Sequence, residues 1–443
     1  MLIRPYRRLL AGACVLTVLV AAACGGDGDD NDASPSPAPS PSPAPTPAPG
    51  VTPGPGVTDS EIRLGMTNDL AGTGSTPYGV VTVAIQAYFS KVNREDGGVC
   101  GRDLVLVAKD DQYNPELALE MAKELVEQDR VLAMIGALGT AAHLGVADYL
   151  NDPNGDGDKS DGVPDLFVST GYSGWGDVTR WPWTAGFIPD YQTDAQVLTR
   201  YINENLGGKK VGVLYEDDEF GNDYISRTKA SLPDQALLVS EQPYDPAGPE
   251  IEPFIGNFVE AGAEVVLLAT PPEVSARAIT AAHGQGYAPA FLLSYVNSHT
   301  QLATLIGGGS GPDQLALGFR ELNGAISTNY LLSAIEDEEE PELQEHARIM
   351  QTHNGPPVST LTIYAQSLAE TVVETLGRTC HNPTRQGLLE AAQSLQGFHP
   401  SLLWPGIEVN LGPEDHRAIQ AMQVVSFLDD GTLLEIGEPV RVE

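Results

Sequence analysis

Basic residues are scarce in this chain: 24 Lys and Arg stand against 60 Asp and Glu, for a formal charge of -36 over 443 residues. A nucleic-acid binder needs a cationic face to meet phosphate, so that class is excluded. Attachment to an anionic membrane surface by charge is excluded for the same reason. The eight His are scattered, no HExxH or GxSxG run occurs, and no Cys/His cluster forms, which removes the common metalloprotease and hydrolase arrangements. Gly72-Thr73-Gly74 follows a first strand but lacks the third glycine of a dinucleotide fingerprint. An exported Rossmann-type oxidoreductase therefore stays only as a remote alternative, and the chain reads as a non-enzyme. At about 150 residues per domain the length suits two or three domains with ample core.

What is present begins with an address. Arg4, Arg7 and Arg8 precede an apolar run over 9–20, too short to span a bilayer comfortably, and Ala21, Ala22 and Ala23 lead to Cys24. This reads as a secretory signal over 1–23. The Cys after small residues resembles a bacterial lipobox, which implies cleavage before Cys24 and a lipid on its sulfur; an ordinary signal with an incidental Cys is the alternative. The charge left after cleavage is 21 basic residues against 60 acidic. Residues 24–56 alternate Pro with Ser and Ala and favour polyproline II, so they read as a semi-rigid tether that builds no core.

From residue 57 onward, short apolar strands alternate with amphipathic helices. Strands are expected over 62–66, 104–108, 131–135 and 166–169, with helices over 79–93, 115–128 and 140–150 between them. The rhythm restarts with helices over 195–205, 222–231, 251–261 and 274–284 around strands over 210–215, 237–240, 264–269 and 291–294. Two such runs predict an α/β fold of two doubly wound parallel-sheet lobes. Ligands of such sheets bind beyond the carboxyl ends of strands, which selects the loops 68–78, 136–141, 170–175, 216–222, 270–273 and 294–298. Gly139-Thr140-Ala141 opens a helix whose free N–H groups suit an anion, although Thr140 can equally serve as a simple cap.

One acidic loop has the first half of a calcium-binding pattern. Asp152, Asn154, Asp156 and Asp158 alternate with a glycine in sixth place, and Asp161 lies near the position where a closing Glu is due. The two readings are a structural Ca²⁺ site and a solvated turn. The acidic run 336–342 reads as a solvated loop.

Ile62-Arg63-Leu64-Gly65, Asp69-Leu70-Ala71-Gly72, the segment 93–102, Lys109-Asp110-Asp111, Ile135-Gly136-Ala137, and 212–217 with Phe220-Gly221 occur in an order that resembles type I periplasmic binding proteins. More narrowly the chain is similar to the leucine/isoleucine/valine-binding branch that serves ABC transporters. That resemblance implies a monomer of two lobes joined by a hinge, with lobe one at 57–186 plus 322–410 and lobe two at 187–321 plus 411–443. It also implies a small-molecule ligand clamped between the lobes without a cofactor, an ABC permease as partner, and a place at the outer face of the cytoplasmic membrane or in the periplasm. A lipid-tethered sensor without transport is the alternative in the binding class.

Carried onto this sequence, the resemblance places ligand contacts at Tyr78, Gly139, Thr140, Ala141, Tyr172, Ser173, Tyr191, Thr270 and Tyr295. Trp181 and Trp183 read as packing residues. The family's acid for a ligand ammonium falls near Ser294-Tyr295-Val296-Asn297, where no carboxylate stands. That departure points to an aromatic or other hydrophobic carboxylate rather than a standard amino acid, unless Asp190 or Glu273 substitutes. By the same layout Cys100 and Cys380 both fall in lobe one, so an exported chain permits their pairing; free buried thiols are the alternative.

Overall fold

The computed structural model describes residues 46–70, 78–246, 248, 250–297, 300–334 and 339–442. The signal over 1–23, Cys24 and Gly72-Thr73-Gly74 lie outside the described residues. In the first sheet, β1 (Glu61–Asn68) lies between β2 (Asp103–Asp110) and β3 (Ala133–Ile135), followed by β4 (Asp165–Val168) and β5 (Thr184–Gly186). The order is β2-β1-β3-β4-β5, and every pairing is parallel.

The second sheet contains β6 (Val211–Glu216), β7 (Leu238–Tyr244), β8 (Val265–Ala269), β9 (Ala290–Leu293), β10 (Ile326–Asn329), β11 (Ala421–Phe427) and β12 (Leu433–Arg441). Its order is β12-β11-β10-β9-β8-β6-β7, parallel from β7 through β10 and antiparallel at the other edge. Parallel strands covered on both faces must be apolar throughout, as Val265–Ala269 is, with all five residues buried.

The helices follow the same division. Helices α1 (Gly79–Lys91), α2 (Pro115–Lys123) and α3 (Thr140–Asn151) belong to the first lobe. Helices α4 (Tyr191–Asn205), α5 (Glu219–Ser231), α6 (Glu252–Ala261), α7 (Pro272–Gly284), α8 (Thr300–Gly307) and α9 (Pro312–Leu322) belong to the second. The chain then returns, and α10 (Pro341–Thr352) and α11 (Thr360–Arg378) pack on α1, with α12 (Arg385–Gln393) against α11. The backbone thus crosses between the sheets three times: after β5, after β10 and before β11.

Local chemistry sets these boundaries. Pro115 opens α2 behind Asn114, whose Oδ1 accepts from the Glu116 and Leu117 amides at 2.9 and 3.0 Å. The helices expected over 79–93 and 115–128 keep about that extent, but each ends in a wider π-type turn, Val92–Asp96 and Glu124–Gln128.

Two expected boundaries shift. Strand β10 pairs in parallel with β9, so the second lobe runs through residue 329 instead of ending at 321. The tether does not stay free up to 56. The Ala48 amide donates to the His381 carbonyl at 2.9 Å, the Gly54 amide to the Pro383 carbonyl at 2.8 Å, and the Arg63 amide to the Gly56 carbonyl at 2.9 Å. Once Pro-alternation yields to Val51 and the glycines, backbone donors return and the chain can dock on lobe one. This docking lies next to a disulfide that joins Cys100 to Cys380, with Cα atoms 5.5 Å apart.

Candidate functional site

Both sheets aim their carboxyl ends at one cavity of about 140 Å³. The first lobe contributes Tyr78 after β1, Tyr113 after β2, Gly139 and Thr140 after β3, and Ser169 after β4. The second contributes Glu216 at the end of β6, Phe220 on α5, Pro271 after β8, and Tyr295 and Val296 after β9. Crossing segments add Ile188, Tyr191 and Tyr330, and α11 adds Thr360, Leu361 and Tyr364. Placement beyond the strand ends follows from parallel topology, which leaves a crevice there.

One wall can hold an anion. Gly139 caps α3 with φ of +98°, and it has no side chain to accept from the first-turn N–H groups. Those donors are therefore open to a ligand. Thr140 Oγ1 sits 2.6 Å from Thr170 Oγ1, and the Tyr191 hydroxyl faces both. Gly139 is also required sterically, because a Cβ there would lie 2.6 Å from the Tyr113 ring. Tyr113 itself is held in the left-handed region at φ of +56°, with the Asp111 carboxylate accepting its amide at 2.9 Å.

The remaining walls are aromatic and tied down. Asn68 donates to the Tyr78 carbonyl at 3.0 Å, which fixes the entry to α1. The Tyr364 hydroxyl bonds Ser169 Oγ, which in turn donates to the Gly136 carbonyl at 2.8 Å. The Tyr295 hydroxyl donates to the Pro189 carbonyl at 2.8 Å, and its amide donates to Asp194 at 3.1 Å. Asp194 is fully buried, also accepts from the Tyr224 and Thr328 hydroxyls, and is pushed up by burial to about 6. Gly171 has the second glycine requirement: a Cβ there would meet the Tyr295 hydroxyl at 2.5 Å and the Tyr191 ring at 2.7 Å.

The opposite wall holds an acid. Glu216 is 6 % exposed, and its Oε2 accepts from the Tyr244 hydroxyl at 2.7 Å. Burial raises its carboxyl to about 7, and the neighbouring Asp218 charge adds to the rise. Asp218 caps α5, accepts from the Gly221 amide at 3.1 Å, and is likewise pushed up by burial, to about 6.

A periplasmic binding protein model matches residues 61–432, nearly the whole of the two lobes just described. The chain belongs to that family. It is a family of binding proteins, not enzymes. As a periplasmic binding protein it is 24 % identical over 217 residues to an amino acid binding protein of Pseudomonas aeruginosa, with 48 % of this chain and 54 % of that relative aligned. The chain thus spans about half the length of that curated relative. Among solved structures it is similar to a fatty acid ABC transporter substrate-binding protein from Thermomonospora curvata (TM-score 0.71, 23 % identity, 90 % of this chain and 97 % of that one). It is equally similar in fold to a branched-chain amino acid ABC transporter protein from Thermus thermophilus with bound valine (TM-score 0.71, 18 % identity, 86 % and 97 %).

Of the residues expected from sequence, this periplasmic binding protein brings Tyr78, Gly139, Thr140, Tyr191 and Tyr295 to the cavity. It leaves four aside. Ala141 adds no side chain to the lining. Tyr172 packs edge-on to Trp175 and Trp181, with ring centroids at 5.3 and 6.2 Å. Ser173 bonds Asp223 across the lobes. Thr270 turns away to Ser275 Oγ at 2.5 Å, while the next residue, Pro271, lines the wall. Trp181 and Trp183 are buried packing residues, donating to Asp148 and to the Lys159 carbonyl.

No acid stands at 294–297, and the two substitutes considered from sequence do not reach the cavity. Neither Asp190, which caps α4 and lies 3.6 Å from Arg417, nor Glu273 lines the cavity; Glu216 does. The calcium reading is not supported. Among the described residues no group of three acidic, His or Cys side chains could hold a metal ion. The oxygens of Asp152, Asn154, Asp156 and Asp158 accept loop amides, and Asp161 accepts from Asn154, so the turn satisfies itself.

Proposed function

We propose that this chain is the solute-binding component of an ABC importer, held outside the cytoplasmic membrane by a lipid on Cys24. Its cargo is a compact amphipathic carboxylate, either a hydrophobic amino acid or an aromatic acid. The observation that carries this reading is the cavity shared by both lobes, with an uncapped helix N-terminus at Thr140 on one wall and aromatic rings around it. The N-terminus and hydroxyls suit a carboxylate, and the rings suit an apolar body. The free space of about 140 Å³ is that of one benzene-sized group, which favours a compact solute over a long acyl chain.

Lobes that both touch the solute close by differential affinity, and the closed form is what a permease recognises. A relative named for amino acids and a neighbour holding valine support the same class. A thermal-shift screen of the purified protein against amino acids, benzoates and fatty acids tests it. A ligand at 100 times its Kd adds about 2.7 kcal/mol of stability. The reading fails if only long-chain fatty acids raise the midpoint.

A further inference from the structure

We propose that a second cavity, separate from the one between the lobes, binds a hydroxylated organic cation: a small free amino alcohol of the choline or ethanolamine kind. This cavity measures about 380 Å³ and begins one residue further along the crossing segment, where Leu331 lines the first cavity and Leu332 the second. The two linings have no residue in common. The inference goes beyond the proposed function and holds whichever solute the first cavity takes.

Four stretches of chain build the walls. Glu340 and Glu342 stand at the start of α10, Glu435 on β12, Leu332 after β10, and His399, Leu403, Trp404 and Pro405 in the loop after α12. That loop is tied down on two sides. The Trp404 amide donates to the Tyr330 carbonyl at 2.8 Å, and the Leu332 amide to the Leu402 carbonyl at 3.0 Å. The Ser401 amide and hydroxyl both donate to Glu370 of α11 at 2.6 Å. Walls fixed in this way need little reordering when a ligand arrives.

The charge in the cavity is of one sign. No Lys or Arg lines it, and among the described residues no cation or hydrogen-bond donor pairs with the carboxylates of Glu340, Glu342 and Glu435. His399 bonds the Ile407 carbonyl through Nδ1 at 2.7 Å, so in the neutral ring Nε2 is an acceptor. A metal ion needs oxygens that converge on a point, and among the described residues no three acidic, His or Cys side chains do so. Negative charge spread over the walls suits a cation of several atoms instead.

Trp404 points to a ligand independently. The chain has four Trp. Trp181 and Trp183 donate to Asp148 and to the Lys159 carbonyl, and the Trp175 N–H is sealed in the core. Trp404 is only 7 % exposed, yet its N–H meets no acceptor among the described residues and is not sealed, so it opens on the cavity that the ring lines. A buried indole N–H ordinarily has a partner. A ligand hydroxyl accepts from it, while Leu332, Leu403 and Pro405 cover apolar carbon. A cationic centre, a short carbon stem and one acceptor oxygen make an amino alcohol. A dry cavity of about 150 Å³ holds benzene, so choline has room here. Phosphate on the same alcohol sets an anion against three carboxylates, which favours the free compound over a lipid headgroup.

The test uses the purified protein with 5-fluorotryptophan in place of tryptophan, so that four fluorine resonances report the four sites. Trp404→Phe identifies the resonance of Trp404. Choline, ethanolamine, phosphocholine and 3,3-dimethylbutan-1-ol, an uncharged isostere of choline, are titrated at constant ionic strength. Choline or ethanolamine should shift the Trp404 resonance saturably and leave the other three in place. The isostere and phosphocholine should bind about tenfold or more weakly than choline. Glu340, Glu342 and Glu435 are exposed, so changing all three to Gln leaves the core intact and should weaken choline by about tenfold or more. If that variant fails to fold, the comparison of choline with its isostere in the wild type decides alone. A Trp404 resonance that neither amino alcohol moves overturns the proposal, as does a common shift of all four. Equal binding of the isostere or of phosphocholine, or unchanged affinity in the triple variant, overturns it too.

Discussion

Ser173 of the first lobe donates twice to Asp223 of the second, from its amide at 2.7 Å and its hydroxyl at 2.8 Å. Gln192 donates to the same carboxylate at 2.9 Å and to Ser173 Oγ at 3.1 Å. The lobes are therefore latched at a point outside the cavity lining. Hydrogen bonds to a charged group contribute about 1.5–3 kcal/mol each. Asp223→Ala is expected to shift the ligand-free protein toward open lobes and weaken ligand binding about tenfold or more. Small-angle scattering and calorimetry measure the two effects. An unchanged radius of gyration together with unchanged affinity would contradict the latch.

The anion wall makes a second expectation. Thr140→Val keeps shape but removes a hydroxyl from the Thr140–Thr170–Tyr191 group. Leaving a partner unsatisfied costs about 1–3 kcal/mol, so affinity for carboxylate ligands should fall about tenfold to a hundredfold. The neutral amide of the same ligand should lose little. Gly139→Ala should be worse and should also destabilise the fold, since the new Cβ meets the Tyr113 ring at a φ of +98°.

Asp194 ties protonation to stability. Its carboxyl is raised by burial to about 6, above the unfolded value near 3.9. A raised carboxyl adds stability that is fully present below pH 4 and lost as pH rises through 6. Buried His346 and His416, whose pKa values are lowered by burial, act in the opposite sense below about 6.5, so the single-site difference is the clean measurement. The stability of Asp194→Asn minus that of wild type should grow by about 1–1.5 kcal/mol between pH 5 and pH 7.5. A flat or falling difference would mean that Asp194 is not desolvated as described.

The disulfide between Cys100 and Cys380 closes a loop of 280 residues. Losing a native disulfide costs about 2–5 kcal/mol. Reductant, or Cys100→Ser with Cys380→Ser, should lower the unfolding midpoint. Protease should also cut residues 46–56 faster, because the docking partners His381 and Pro383 directly follow Cys380. An unchanged midpoint and cleavage rate would contradict both roles.

Periodicity was informative as far as β9, because parallel strands such as Val265–Ala269 are apolar throughout and helices such as α1 carry a regular buried face. It was silent on β5, β10, β11 and β12. Strand β5 has only three residues, and β12 is an edge strand with exposed Glu435 and Glu438 that carries no core pattern. The site divides for a similar reason. Thr140 and Tyr295 directly follow strand ends and could be found by that rule. Tyr330 and Tyr364 reach the cavity from a crossing segment and from α11, which only the closed topology brings near. Glu216 lies inside a loop that the rule selects, but a carboxylate's burial beside Tyr244 cannot be read from sequence.

On the proposed function, a small solute draws the two lobes together. Val83 on α1 and Val259 on α6 are exposed, one on each lobe, and suit paired spin labels as Val83→Cys and Val259→Cys. The label-to-label distance is measured by pulsed spin resonance with and without a saturating solute from the thermal-shift screen. The expected result is a shorter and narrower distribution with solute, lost when Thr140→Val is added at the same solute concentration. Identical distributions at saturation would contradict solute-driven closure.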